Sequence, residues 1–143
     1  MAINFFQEDS TFKLLNKLKI KKWIKLIAAD ENYMIKDLNY IFCSDEYLYQ
    51  INLEYLNHPT YTDIITFDIS EGEKKLEGDI FISIERVREN AIIQKVNFEK
   101  ELLRVLSHGL YHLCGYKDKS KEEKKVMRQK EEEAISKFYF FSS

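Results

Sequence analysis

The residues best suited to chemistry lie in one short segment, Leu106 to Lys119, which reads LSHGLYHLCGYKDK. His108 and His112 are four residues apart, so on a helix both imidazole rings project from one face and can share a metal ion. Gly115 follows, and glycine is suited to ending a helix in a left-handed turn. Such a turn would bring the carboxylate of Asp118 back over the helix face. The segment therefore predicts a metal site formed by His108, His112 and Asp118.

A site with these three ligands leaves a coordination position open for water, as catalytic metals require, whereas structural zinc fills all four positions, usually with thiolates. We therefore expect His108 and His112 to be catalytic through a metal-bound water. Zinc proteases of the HExxH type place a glutamate directly after the first histidine. Gly109 stands there in this chain, so peptide hydrolysis by that route is excluded. On spacing alone, a chance pair of partly exposed histidines remains the alternative.

The elements that must position this segment follow from the hydrophobic pattern. Short apolar runs rich in β-branched residues predict strands, and helical periodicity predicts helices. A loop surrounds the only proline, Pro59, and a second, glycine-containing loop or hairpin is predicted over residues 70–78. The predicted strands are 3–7, 38–43, 62–67 and 79–83, and the predicted helices are 12 to about 27, 45–56, 84–96, 98–113 and 120–137.

This order predicts an α/β (α+β) layer fold with one mixed sheet of about four strands covered by about five helices. The chain has 143 residues, is 45% hydrophobic and contains one proline and four glycines. Such a composition supports one small domain over residues 1–143 and gives no sign of a disordered tail.

The bulk composition also limits location and partners. Only two cysteines are present. The first residues do not form a basic segment followed by an apolar stretch, as a signal peptide would, and no apolar run approaches the length of a membrane span. We therefore expect a cytoplasmic protein that does not contact a membrane. The net charge of −2, with lysines crowded into the first quarter, neither indicates nor excludes an RNA partner.

Several motifs in the same order resemble the YbeY family of endoribonucleases, whose metal helix has the pattern H-G-x-x-H-x-x-G-Y-x-H. The segment LLRVLSHGLYHLCGY is similar to that helix, and TDIITF and GDIFIS are similar to the family's T-D-V-L-S-F and G-D-I-x-I-S strands. The family's N-x-x-Y motif precedes the first of these strands. The residues that match the helix and this motif are His108, Gly109, His112, Gly115, Tyr116, Asn52 and Tyr55.

The resemblance implies a single α/β domain that cleaves single-stranded RNA, with roles in ribosomal RNA maturation and ribosome quality control. It implies one divalent ion, for which zinc is the first expectation and manganese, iron or nickel are alternatives. Single-stranded or ribosomal RNA is the implied partner, with ribosomal proteins or the small subunit as further candidates.

Two positions depart from the family pattern. Asp118 stands where the family has a third histidine, and a carboxylate should make the ion a weaker Lewis acid and suit harder metals better. Leu56 stands where the family has an arginine directly after the tyrosine of N-x-x-Y, and leucine can neither clamp a phosphate nor stabilise its charge. Arg86, Arg88, Arg104 or lysines of the first helix are candidate replacements.

These departures keep two other functions open. One is a ribosome assembly factor that binds ribosomal RNA or a ribosomal protein with little turnover. The other is a metal hydrolase acting on a small substrate.

Other polar residues have structural interpretations that are at least as good as functional ones. Asp63 and Asp79 stand at predicted strands, where a carboxylate often binds local backbone. His58 is expected to be a loop residue, and Cys114 has a weak case for redox or nucleophilic chemistry. The run 121–137 is expected to be a solvated helix with opposite charges at helical spacing. Ser120, followed three residues later by Glu123, predicts a capping box at the start of this helix.

Overall fold

The structure, a computed structural model, describes residues 2–140 and contains the predicted four-stranded mixed sheet and five helices. The predicted domain of residues 1–143 therefore extends past the described residues at both ends. The elements in chain order are β1 (Ala2–Glu8), α1 (Lys17–Asp30), β2 (Met34–Cys43), α2 (Asp45–Leu56), β3 (Ile64–Asp68), β4 (Lys75–Ser83), α3 (Ile84–Gln94), α4 (Phe98–Leu113) and α5 (Lys121–Phe140).

The strands are ordered β1-β2-β4-β3, with β1, β2 and β4 parallel and β3 antiparallel at one edge. The main core lies on the face of the sheet that α1, α4 and α5 cover, where Leu38, Tyr40, Ile80 and Ile82 are fully buried. Helix α2 packs against the other face through a smaller apolar cluster. Both faces of the central strands therefore carry apolar side chains that helices cover, and the α2 face also carries Asn39 and Asp79.

Helix α4 packs against the sheet at Gly109, where there is little room for a side chain. A Cβ atom at Gly109 would be 3.0 Å from the Ile80 side chain and 3.1 Å from that of Ile64. The Tyr40 hydroxyl also donates a hydrogen bond to the Leu106 carbonyl oxygen, at 3.2 Å. The position after His108 is therefore packed against strands β3 and β4, and a larger residue there would require Ile80 and Ile64 to shift.

Three predicted element starts were wrong by four or five residues. Strand β2 begins at Met34, not at residue 38, because its first residues pair with the start of β4. Helix α1 begins at Lys17, not at residue 12, because Asn16 has a positive φ of 58° and residues 9–16 form no helix. Phe12 still packs against Phe42 and Phe98, which explains why its spacing resembled the helical pattern. Strand β4 begins at Lys75, inside the predicted 70–78 loop, because residues 75–78 pair with β2 and Gly78 pairs with Asp68.

Helix α5 closes the helical layer, and its start is confirmed in detail. Ser120 and Glu123 form the predicted capping box: the Glu123 N–H donates to the Ser120 hydroxyl at 3.0 Å and the Ser120 N–H donates to the Glu123 carboxylate at 2.9 Å. The Trp23 indole N–H donates to the Ala134 carbonyl oxygen at 2.7 Å. The expectation of a solvated helix describes the outer face of α5, whereas its inner face is buried: Met127, Glu131, Ala134, Ile135 and Phe138.

Within residues 2–140, none of the helices has the length and apolar character needed to cross a bilayer.

Candidate metal centre

Helix α4 ends in a Schellman motif, and this turn brings the predicted ligands together. Gly115 has a φ of 103°, its N–H donates to the His112 carbonyl oxygen at 3.0 Å, and the Tyr116 N–H donates to the Tyr111 carbonyl oxygen at 3.0 Å. This turn reverses the chain direction directly after the second histidine. Residue 118 is thereby returned to the helix face that carries both imidazole rings.

His108, His112 and Asp118 converge as predicted. The two Nε2 atoms are 3.0 Å apart, and the Asp118 Oδ2 atom is 3.1 Å from Nε2 of His108 and 3.4 Å from Nε2 of His112. Three ligands of one tetrahedral zinc ion are separated by roughly 3.3 Å when the metal–ligand bonds are about 2.0 Å long. The spacing of the three atoms therefore fits a single ion.

The second nitrogen of each imidazole ring is hydrogen-bonded to an acceptor. Nδ1 of His108 is 2.6 Å from the Glu131 carboxylate, and Nδ1 of His112 is 3.0 Å from the Tyr116 carbonyl oxygen. An imidazole that donates through Nδ1 keeps its lone pair on Nε2. Both Nε2 lone pairs are therefore directed into the space that they share with Asp118.

The chemistry of these donors also supports a cation. Two neutral imidazole nitrogens and a carboxylate oxygen are all acceptors, so their close approach is repulsive unless a positive charge lies among them. His ligands of metals commonly donate their other N–H to a carboxylate or a backbone carbonyl, and both arrangements occur here. The residues present therefore fit a divalent metal ion.

A buried charge network stands behind His108. Glu131, which is 4% exposed, lies between His108 and Arg104. Its carboxylate contacts Nδ1 of His108 and is 3.3 Å from Nη1 of Arg104. Arg104 also contacts Glu101 at 3.3 Å and Glu132 at 2.7 Å. Because three carboxylates surround Arg104, its charge is neutralised within the protein and is not available to a substrate phosphate.

The surroundings of the site shift the pKa values of His108 and of the neighbouring Asp63. Burial lowers the pKa of His108, but the hydrogen bond and charge of Glu131 outweigh burial, so that the pKa is raised overall. Burial raises the pKa of the Asp63 carboxyl, and the nearby His108 offsets this only in part. Asp63 is not among the grouped ligands.

The metal centre opens into a cleft of about 870 Å³, called the main cleft here, between α4, β3 and the loop after α2. Leu56, at the family's arginine position, lines this cleft and is 44% exposed. His58 also lines it but is not part of the ligand group. The amide of Asn52 fixes the loop by donating to the carbonyl and hydroxyl oxygens of Thr60, at 2.9 and 3.1 Å.

The candidate replacements for the missing arginine do not supply a free cation to the main cleft. Arg86 forms an ion pair with Asp45 at 3.0 Å, and the Arg88 guanidinium lies over the Phe98 ring. The cations among the lining residues are Arg104, Lys119 and Arg128. No sequence motif indicated Lys119 or Arg128, although Arg128 precedes Glu131 by three residues and so lies on a neighbouring part of the same helix face.

Two further predicted residues lie outside the ligand group. Asp79 projects from the opposite face of the sheet, where its carboxylate accepts a hydrogen bond from the Asn39 amide at 2.9 Å. Burial raises the pKa of the Cys114 thiol to about 12, so the thiolate form is scarce at neutral pH. A redox or nucleophilic role for Cys114 is therefore disfavoured.

Comparison with known proteins gives a consistent result over nearly the whole chain. The family model described as "Endoribonuclease YbeY" matches residues 2–139. A protein of that name from Cytophaga hutchinsonii is 55% identical over 135 residues, 94% of this chain and 94% of that protein. Its namesake from Christiangramia forsetii is 52% identical over 137 residues, 96% of this chain and 94% of that protein. A Thermotoga maritima protein solved in solution is 29% identical with a TM-score of 0.70, covering 96% of this chain and 89% of that one.

Proposed function

This chain belongs to the YbeY endoribonuclease family, and from that premise we propose that it is a metal-dependent endoribonuclease that cuts single-stranded RNA. We assign this activity to ribosomal RNA maturation and ribosome quality control, in the cytoplasm. The observation that carries the proposal is the convergence of His108, His112 and Asp118 at the mouth of a cleft, with their acceptor atoms within 3.4 Å of one another.

The chain's own residues have distinct roles in this proposal. His108, His112 and Asp118 would hold the ion. Glu131 and the Tyr116 carbonyl fix the ring orientations and keep Nε2 unprotonated. A bound divalent ion supplies Lewis acidity toward a phosphoryl oxygen and lowers the pKa of a coordinated water. The main cleft would receive a single strand, whose unpaired bases are accessible in a way that duplex bases are not.

Zinc is the ion that we propose, because two imidazole nitrogens and one carboxylate oxygen form a recognised catalytic zinc site. Asp118 in place of the family's third histidine makes manganese, iron or nickel stronger competitors than they would be at a three-histidine site. Elemental analysis of protein purified without added metal identifies the ion.

The direct test is cleavage of single-stranded RNA by the purified protein, with and without chelator and added metal. His112→Ala should reduce both the bound metal and the cleavage to the level of chelated protein, because two protein ligands cannot retain the ion. His58→Ala is the matched control, since His58 lines the same cleft but is not among the grouped ligands. Its bound metal should stay at the level of the unmodified protein.

Three results would contradict the proposal. RNA binding without cleavage in the metal-loaded protein would favour an assembly factor. Hydrolysis of small phosphodiesters without RNA affinity would favour a small-substrate hydrolase. A full complement of metal in the double variant His108→Ala/His112→Ala would refute the metal site itself.

A further inference from the structure

The metal centre also borders a second groove, on the side away from β3. This groove has a volume of about 840 Å³ and shares His108, Asp118, Arg128 and Glu131 with the main cleft. Its other walls come from the first two turns of α5. We call it the lysine groove, after the lysines that line it: Lys121, Lys124 and Lys125.

The charges of the lysine groove favour a polyanion. Lys121, Lys124 and Lys125 are exposed, and within residues 2–140 none of them forms an ion pair with a carboxylate. Of the acidic residues that line the groove, Glu131 is already paired with Arg104 and Asp118 faces the two imidazoles. Glu122 is the remaining one, so the groove is positive although the chain as a whole carries −2.

The fourth cation, Arg128, connects the two grooves. Its guanidinium donates to the neutral side chain of Gln94 at 3.0 Å and lies 4.0 Å from the Glu132 carboxylate, which is a weak exposed pair. Successive turns of α5, about 5.4 Å apart along the helix axis, carry first Lys121, then Lys124 and Lys125, and then Arg128. A row of cations thus lines the groove that also contains His108 and Asp118.

We propose that the lysine groove binds the phosphates of the RNA strand on one side of the scissile bond, while the main cleft holds the other side. This inference rests on the proposed function and specifies where its substrate runs. It gives the chain a phosphate-binding surface on α5, whereas the family's arginine position is occupied by Leu56. Lysine and arginine contacts to phosphate supply most of the sequence-independent affinity for nucleic acid.

The experiment compares two triple variants with the same change in net charge. Lys121→Ala/Lys124→Ala/Lys125→Ala removes the groove lysines, and Lys17→Ala/Lys22→Ala/Lys25→Ala removes three exposed lysines of α1 that do not line either groove. Binding of a fluorescein-labelled single-stranded oligouridylate is measured by anisotropy over a series of salt concentrations. All proteins carry His112→Ala in this assay, so that cleavage does not interfere.

Each phosphate contact contributes about 0.7 to the slope of log affinity against log salt for a single strand, so losing three contacts should reduce the slope by about 2. We expect that loss in the groove variant and an unchanged slope in the α1 variant. Lys121→Arg/Lys124→Arg/Lys125→Arg, which keeps the charges, should retain the slope. With His112 restored, the groove variant should cleave RNA with a raised KM and a nearly unchanged kcat.

The possible failures are distinguishable. Equal slopes in the two alanine variants, with RNA cleavage intact in the unmodified protein, would overturn the lysine groove and leave the proposed function standing. Absence of both RNA binding and cleavage in the unmodified, metal-loaded protein would instead overturn the proposed function. A circular dichroism melt confirms that each variant is folded; alanine is favourable in a helix, so we expect no loss of structure.

Discussion

At the scale of single residues, Glu131 is placed to control how His108 would bind a metal ion. Its carboxylate is 2.6 Å from Nδ1 of His108 and is held from the other side by Arg104. A buried carboxylate in this position orients the ring, fixes the tautomer and increases the basicity of Nε2. Removing its charge would leave the ring less constrained and Arg104 less well compensated.

We therefore predict that Glu131→Gln weakens zinc binding by about 10- to 100-fold, the usual effect of losing a residue that supports a ligand. Affinity is measured by competition with a chromogenic chelator. Glu132→Gln is the matched control, because Glu132 contacts the same arginine at 2.7 Å but does not contact a histidine. Equal zinc affinities in the two variants would show that the carboxylate next to His108 has no role in positioning it.

At the scale of elements, the centre depends on how α4 ends. The backbone at Gly115 has a φ of 103°, which residues with a Cβ atom rarely adopt. That conformation allows both hydrogen bonds of the Schellman motif and determines where the chain goes next. Asp118 reaches the imidazoles because of this backbone reversal.

Gly115→Ala should consequently reduce both stability and metal affinity. A non-glycine residue held in a sparsely populated backbone region costs on the order of 1–3 kcal/mol. Denaturant unfolding measures the first effect and chelator competition the second. Gly72→Ala serves for comparison, since a Cβ atom at Gly72 would have no neighbour within 4 Å and the backbone there has no positive φ. The prediction fails if Gly115→Ala binds zinc as tightly as Gly72→Ala does.

At the scale of the whole molecule, Glu31 joins three separate parts of the chain. It lies directly after α1, accepts a hydrogen bond from the Tyr116 hydroxyl at 2.7 Å and pairs with Lys130 of α5 at 2.9 Å. Burial alone would raise the pKa of Glu31, but these hydrogen bonds and the charge of Lys130 lower it below its ordinary value of 4.5. The ionised form therefore stabilises the packing of the turn that follows α4.

A carboxyl whose pKa is lower in the folded state contributes stability above its unfolded pKa and loses that contribution as the pH falls through the folded value. Glu31→Gln should lower the free energy of unfolding by about 1 kcal/mol at neutral pH. This difference from the unmodified protein should shrink below pH 4.5. Urea melts over a pH series measure it, with the exposed Glu73→Gln as the control. Ordinary carboxyls are mostly protonated at about pH 3. If the stability difference between Glu31→Gln and the unmodified protein stayed the same from neutral pH down to that pH, the ionised form of Glu31 would not be the source of the stabilisation.

The amino-acid sequence by itself determined the grouping of the three candidate ligands and the class of fold. Two histidines four residues apart, a glycine and a carboxylate are local features, and helix geometry with one backbone reversal is enough to bring them together. The alternation of apolar runs likewise predicted the mixed sheet and its helices, and Ser120 with Glu123 predicted the start of α5. These features depend on residues close in the chain, so their consequences can be worked out without the rest of the molecule.

Only the tertiary structure decided which distant residues surround that group. Glu131 lies 23 residues after His108, and its role depends on α5 packing across α4 with its inner face buried. The position of the lysine groove depends on the same packing, and a charged run such as 121–137 looks solvated on every side until its partner helix is known. Helix docking is set by the summed fit of many side chains, which no local spacing encodes.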